Sequence, residues 1–415
     1  MYLVAKRPVA GGIRRYLCPV DSVARALTWA TVAASLSKGV FFSVSVLFFT
    51  QVAGFTATNV GYGLTIAGVA GVGAALGAGY LARTFGARRV LLAVTAGQGL
   101  ALASYLVVRT PSAFVIVACA AVGQQAMQRT ALATMIAESF TGRDRIEVRA
   151  RLRVVTNVSI AAGTALAAVA LAIGTRPAYM LAMLTTSALL LVSALPLSRV
   201  RGIAEPVDRP QRQAWGRSPF LDRTYLTATC LYAVMTMQFG MLTVGVPLWV
   251  AGWTKAPTVT VPALLALNTV IVSLLQVWAA RGAHTLYSAG RAVAQAGTLL
   301  AMACGLYAAA AHGAVAVMIV ALMLATIAHS FAEILSEAGG WTLAFELADP
   351  ASAGAYQGVS QAGMAVGTML APLVVTTTAI EHGTAGWAAL AALFLIAGLS
   401  TLRLVRWHRG HASSA

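Results

Sequence analysis

Long apolar runs bounded by short polar intervals recur twelve times along this 415-residue chain. A helix that crosses a bilayer needs about 20 apolar residues. The pattern predicts such helices near 26–50, 59–82, 90–109, 112–138, 154–174, 177–198, 224–250, 258–281, 291–311, 314–347, 353–378 and 384–405. The runs are long and continuous, without the ten-residue alternation of barrel strands, so an all-α membrane protein with twelve transmembrane helices is expected.

The runs also repeat. Arg153-Val154-Val155-Thr156-Asn157 and Ala161-Ala162-Gly163-Thr164-Ala165-Leu166-Ala167 match Gln357-Gly358-Val359-Ser360-Gln361 and Ala365-Val366-Gly367-Thr368-Met369-Leu370-Ala371 at an offset of 361 − 157 = 204 residues. That is about half the chain, so two pseudo-symmetric six-helix bundles are predicted. Secondary transporters are built this way, with a substrate site near the bilayer midplane between the halves. The expected organisation is a tail over 1–25, a first bundle over 26–198, a linker over 199–223, a second bundle over 224–405 and a tail over 406–415. Trp215, Phe220 and Leu221 could rest on the membrane face. Gly73-x-x-x-Gly77 in the second run predicts a flat surface for close approach of another helix. Asn157 and Gln361 are predicted to hydrogen-bond between helices.

Composition narrows the class. With 59% hydrophobic and 10% charged residues, an ordinary soluble domain is excluded. The net charge of +17 suggests nucleic acid until its placement is considered. If the N-terminus is inside, 24 of the 29 Lys and Arg residues fall on the cytoplasmic side, including five over 143–153 and six over 199–223. This positive-inside pattern puts both termini in the cytoplasm of a multi-pass protein, with membrane lipids as partners and nucleic acid excluded. Arginine-rich, alanine-rich composition suggests a bacterial cytoplasmic membrane. Cys18, Cys119, Cys230 and Cys304 are scattered, so no metal site is expected, and no nucleotide-binding or metallohydrolase motif implies a cofactor or an enzyme.

The segment Gly79-Tyr80-Leu81-Ala82-Arg83-Thr84-Phe85-Gly86-Ala87-Arg88-Arg89 resembles the loop signature of the major facilitator superfamily, roughly G-x-L-A-D-R-x-G-R-R. Gly79 and Gly86 match its turn positions, and Arg88 and Arg89 its basic end. The resemblance implies the major facilitator fold and a loop that clamps the cytoplasmic face. Arg83 stands at the signature Asp, so the family's usual charge relay is not implied. Phe331-Ala332-Glu333-Ile334-Leu335, with Gly340-Trp341-Thr342 and Tyr356-Gln357-Gly358, looks like the tenth-helix region of drug:proton antiporters. That likeness implies a proton-coupled exporter of small amphipathic or drug-like compounds; a monomer is expected. Two marks of that branch are missing: Cys119 replaces a common Arg, and no Pro follows Gly163.

Ionisable side chains inside spans cost several kcal/mol, so each is a functional candidate. They are Lys38, Arg129, His329, Glu333 and Glu337. The family resemblance puts helices 1, 4, 7 and 10 around the central cavity, so all of these charges fall on cavity helices. His329, Glu333 and Glu337 are spaced i, i+4, i+8 on one face. Glu333 is expected near mid-membrane as the proton-coupling carboxylate, with His329 tuning it or merely packing. Lys38 or Arg129 would be its counter-ion. Gln125 and Arg129 share a face that either walls the substrate cavity or gates against Glu346 and Asp349. Met237, Gln238 and Met241 are read as a cavity wall; the thioether spacing also suits Cu(I), without an evident His-x-x-x-Met partner. An importer of an organic anion or of a metal ion such as copper is the alternative within transport. A lipid-modifying membrane enzyme is the alternative outside it.

Overall fold

Every predicted apolar run is helical in the structure, a computed structural model that describes residues 22–199, 218–257 and 259–412. The first half holds α1 (Ser22–Leu47, extended by a π-helical turn Phe48–Val52), α2 (Ala57–Phe85), α3 (Ala87–Ser104), α4 (Pro111–Ser139), α5 (Gly142–Ile173) and α6 (Arg176–Ser198). The second holds α7 (Arg223–Trp253), α8 (Thr260–Ala280), α9 (Leu286–Ala309), α10 (Val315–Glu346), α11 (Ala353–Val375, extended by the π-helical turn Thr376–Ile380) and α12 (Glu381–Ala412). Trp215 lies outside the described residues, while Phe220 and Leu221 are exposed in a short 3-10 turn before α7.

Helix starts are chemically marked. Thr110 accepts a hydrogen bond from the Ala113 amide ahead of Pro111, Asp222 accepts from the Tyr225 amide, and Thr285 and Ser288 form a capping box. Gly86 takes φ 86°, which lets α2 turn directly into α3.

One boundary differs instructively from the sequence reading. The helix expected from residue 154 begins at Gly142, so the arginine-rich stretch 143–153 is the first three turns of α5 rather than a loop. A hydropathy window counts those arginines as solvent-facing and ignores the carboxylates that meet them.

The sequence repeat reappears as packing. In the first half α1 packs on α5 and α6, α2 on α4, and α3 on α4 and α6; in the second, α7 packs on α11 and α12, α8 on α10, and α9 on α10 and α12. The repeated Ala-x-Gly-Thr motif marks the crossing point in each half. A Cβ on Gly163 would collide with the Leu36 carbonyl of α1, and one on the equivalent Gly367 with the Ala233 carbonyl of α7. Backbones this close require small residues, and in lipid such close packing is a main source of helix association.

The halves meet towards one end, the terminal face, where α1 begins and α12 ends. There α2 lies along α11, and α5 lies along α8 and α10. Val277, Ala280, Trp341 and Phe345 of the second half join Leu91, Met135 and Leu152 of the first in one buried apolar cluster. At the α2–α11 crossing, Gly79 abuts the Gly354 carbonyl. The surface expected at Gly73 and Gly77 is not the contact: no described residue lies within 4 Å of a Cβ built at either position. The close approach uses the face of α2 that carries Ala75 and Gly79 instead.

Candidate functional site

Helix α10 runs unbroken through Gly339 and Gly340 to Glu346. Glu333 is therefore 346 − 333 = 13 residues, about 20 Å, from its terminal-face end. Glu333 and Glu337, one turn apart, are both buried. Their shared cation is Arg153 of α5, across the boundary between the halves. Its Nη2 donates to Glu333 Oε1 at 3.2 Å, and its Nε lies 3.9 Å from Glu337 Oε2. Asn268 of α8 donates to Glu333 Oε2 at 3.1 Å and to the Ser330 hydroxyl at 3.0 Å. The Tyr232 hydroxyl of α7 donates to Glu337 Oε1 at 3.2 Å. The Arg153 guanidinium also lies 5.5 Å from the Phe239 ring centroid.

This arrangement corrects the expected counter-ion. Neither Lys38 nor Arg129 forms an ion pair with Glu333; Arg153 does, and α5's early start is what carries it to mid-helix depth. Sequence reasoning missed Arg153 because it was assigned to a loop. It missed Tyr232 and Asn268 because single polar residues in apolar runs carry no charge signal. The expected gating contact of Glu346 is likewise made by Arg145 of α5, at 4.0 Å, rather than by Arg129. Arg281, between α8 and α9, reaches Glu147 of α5 at 3.4 Å. These outer pairs are partly exposed and worth roughly 0–1 kcal/mol each.

Gly340 has a specific task here. A Cβ at that position would collide with the Tyr232 ring, so the glycine lets the ring lie against α10 with its hydroxyl on Glu337. Gly340→Ala is expected to lower stability by about 1–3 kcal/mol through overpacking. Thermal melting of this variant beside Tyr232→Phe separates the steric effect from loss of the hydrogen bond.

Lys38 and Arg129 instead face a cavity of about 240 Å³ on the terminal-face side of the first half. Arg149, Arg153, Glu337 and Trp341 complete its charged and aromatic lining. Arg149 sits over the Trp341 ring, 5.6 Å from its centroid. Gln128 lines the cavity and donates to the Thr95 hydroxyl at 2.9 Å; Gln125 is not part of this wall.

The remaining candidates lie elsewhere. His329 is fully buried, 6.5 Å from the Tyr307 ring, and neither ring nitrogen has a hydrogen-bond partner among the described residues. Met241 is buried in the second-half core with its sulfur 3.8 Å from Cys304 Sγ, and Met237 packs on the same core. Gln238 is buried with Oε1 unpartnered. The side chains of Asn157 and Gln361 make no hydrogen bond to a described residue, in place of the interhelical bond expected of them; Gln361 Oε1 is buried and unpartnered. In the α2–α3 loop, Arg88 donates through Nε to the Leu197 carbonyl and through Nη2 to the Ser198 carbonyl, tying α3 to the end of α6. A cation there also offsets the negative end of the α6 dipole. Arg89 follows it on the first turn of α3. Among the described residues there is no cluster of side chains suited to a metal ion.

Residues 27–372 match the profile of the Major Facilitator Superfamily. No curated protein matches the chain. Among solved structures it is similar to the human organic anion transporter MFSD10, at 15% identity over 94% of this chain and 100% of that one, with a TM-score of 0.67. It is similar to the E. coli fucose:proton symporter FucP, at 11% identity over 92% and 98%, TM-score 0.71. A bacterial homologue of the iron transporter ferroportin, in an outward-facing state with soaked iron, matches at 13% identity over 92% and 98%, TM-score 0.72. At these identities the likeness is one of fold.

Proposed function

Because the chain belongs to the Major Facilitator Superfamily, a family of multi-pass membrane transporters, we propose that it works by alternating access, with protonation of Glu333 and Glu337 as the coupling step. The observation that carries this reading is the pairing of both carboxylates with Arg153 across the two halves. While the carboxylates are charged, Arg153 joins α5 to α10 and the terminal face stays closed. Protonation removes the attraction and leaves the halves free to part there. The distribution of basic residues supports a cytoplasmic terminal face, so we read this as a member of the cycle closed on the cytoplasmic side.

The groups facing the two carboxylates are Arg149 and Arg153 from α5, Tyr232 from α7 and Asn268 from α8, with Lys38 and Arg129 across the cavity. Export of amphipathic compounds keeps the support of the tenth-helix resemblance. The pairing of Glu333 with Arg153 counts against it, because it occupies the carboxylate on which a cationic drug would dock.

The test is solute-driven proton movement in liposomes, screened with organic anions and amphipathic dyes. Wild-type protein is expected to move protons with a transported solute. The Glu333→Gln, Glu337→Gln double variant is expected to exchange that solute by counterflow with no proton movement. Undiminished proton movement in the variant would sink the reading.

A further inference from the structure

The charge balance of the 240 Å³ cavity is uneven: Lys38, Arg129, Arg149 and Arg153 line it against the single carboxylate of Glu337. Arg153 is engaged by Glu333 and Glu337, and Arg149 lies over Trp341. The Lys38 and Arg129 side chains form no hydrogen bond or ion pair with any described residue, although both line this cation-rich space. Cations held at this depth are costly unless an opposite charge meets them. The Thr31 and Thr156 hydroxyls line the same space and can donate to an acceptor.

We propose that this cavity is a binding site for a compact anion, a carboxylate or phosphate held between Lys38 and Arg129, and that this anion is the cargo. The volume lies below the roughly 300–1,000 Å³ of drug-sized ligand pockets, which suits a small metabolite-sized anion. The proposal rests on the coupling reading above for its pH dependence. Arg153 belongs to both the cavity wall and the carboxylate pair. Protonating Glu333 and Glu337 frees it to face the anion, so proton and anion bind together and cross in the same direction. Linkage then requires anion affinity to rise as pH falls, by up to about tenfold per pH unit for one coupled proton.

The experiment is calorimetric titration of the full chain in nanodiscs of zwitterionic lipid, which offers no anionic headgroup as a competitor. The probes are acetate, succinate, methanesulfonate and inorganic phosphate, with glycerol and choline as neutral and cationic controls. At least one anion is expected to bind saturably at a single site, and neither control should bind. Lys38→Met and Arg129→Gln are each expected to weaken that binding by roughly tenfold or more, as loss of a charge-assisted hydrogen bond does. Both variants remove an uncompensated cation, so their melting temperatures should be unchanged or raised, which separates lost binding from lost folding. Counterflow of the bound anion in liposomes distinguishes cargo from a lipid headgroup or fixed ligand.

Absence of saturable binding by all four anions would overturn the proposal, as would undiminished binding in both variants. Binding without counterflow would overturn the cargo role. Binding that ignores pH would leave the site standing and remove the coupling reading.

Discussion

Replacing Arg153 with glutamine is expected to cost about 3–5 kcal/mol of stability, because it strands two buried carboxylates. The side chains of Glu333 and Glu337 are only 6% and 5% exposed, so water cannot take the place of the lost cation. Arg153 itself is 30% exposed, which puts the expected cost towards the lower end of that range. The carboxylates of the variant respond by taking up protons, so its stability should recover as pH falls. Neutralising all three groups together, as Arg153→Gln with Glu333→Gln and Glu337→Gln, should restore most of the loss, since no charge is then left unpaired. Thermal melts of the single and triple variants across pH check both statements. Equal destabilisation of the two at neutral pH would show that Arg153 matters for packing and not for its charge.

The second large effect is conformational. Gly79 of α2 and Gly354 of α11 bring two backbones into contact at the terminal face, and a Cβ on Gly79 would collide with the Gly354 carbonyl. Gly79→Val cannot be absorbed by a rotamer change, because the obstacle is backbone. Overpacking of this kind costs about 1–3 kcal/mol, and here the cost falls on the closed state alone, because the helices separate when the terminal face opens. The population open at that face should therefore rise roughly 5- to 150-fold. Alkylation of a cysteine introduced at buried Ala362, on the same α2–α11 seam, reads that change. Faster labelling is expected; an unchanged rate would mean that the crossing does not govern opening.

Much of this architecture was legible in the residue pattern. Continuous apolar runs fixed the helices, since in lipid each run must satisfy its own backbone. The 204-residue offset announced the repeated packing because Gly163 and Gly367 do the same steric task in α5 and α11. The mid-helix position of Glu333 was readable because a carboxylate in an apolar run has few alternatives. Its partner was not. Arg153 stands among five arginines at a helix start, where hydropathy counts each as solvated and cannot see a carboxylate on α10. Tyr232 and Asn268 are single polar residues in apolar helices, and their roles depend on which face α7 and α8 turn towards α10. Met241 shows the same limit: its residue type suits a ligand wall, but helix rotation sends it into the second-half core. Residue type identified candidates, and the three-dimensional register of the helices decided among them.

The central claim is that charge on Glu333 and Glu337 holds the terminal face shut through Arg153. The most direct measurement is the distance between spin labels at Arg143 and His284, exposed positions on opposite halves of that face, in a chain whose native cysteines have been replaced. In the wild-type background a short distance at neutral pH should give way to a longer one as pH falls. The Glu333→Gln, Glu337→Gln double variant should show the longer distance at every pH. The same pH response in both proteins, or no response in either, would contradict the account.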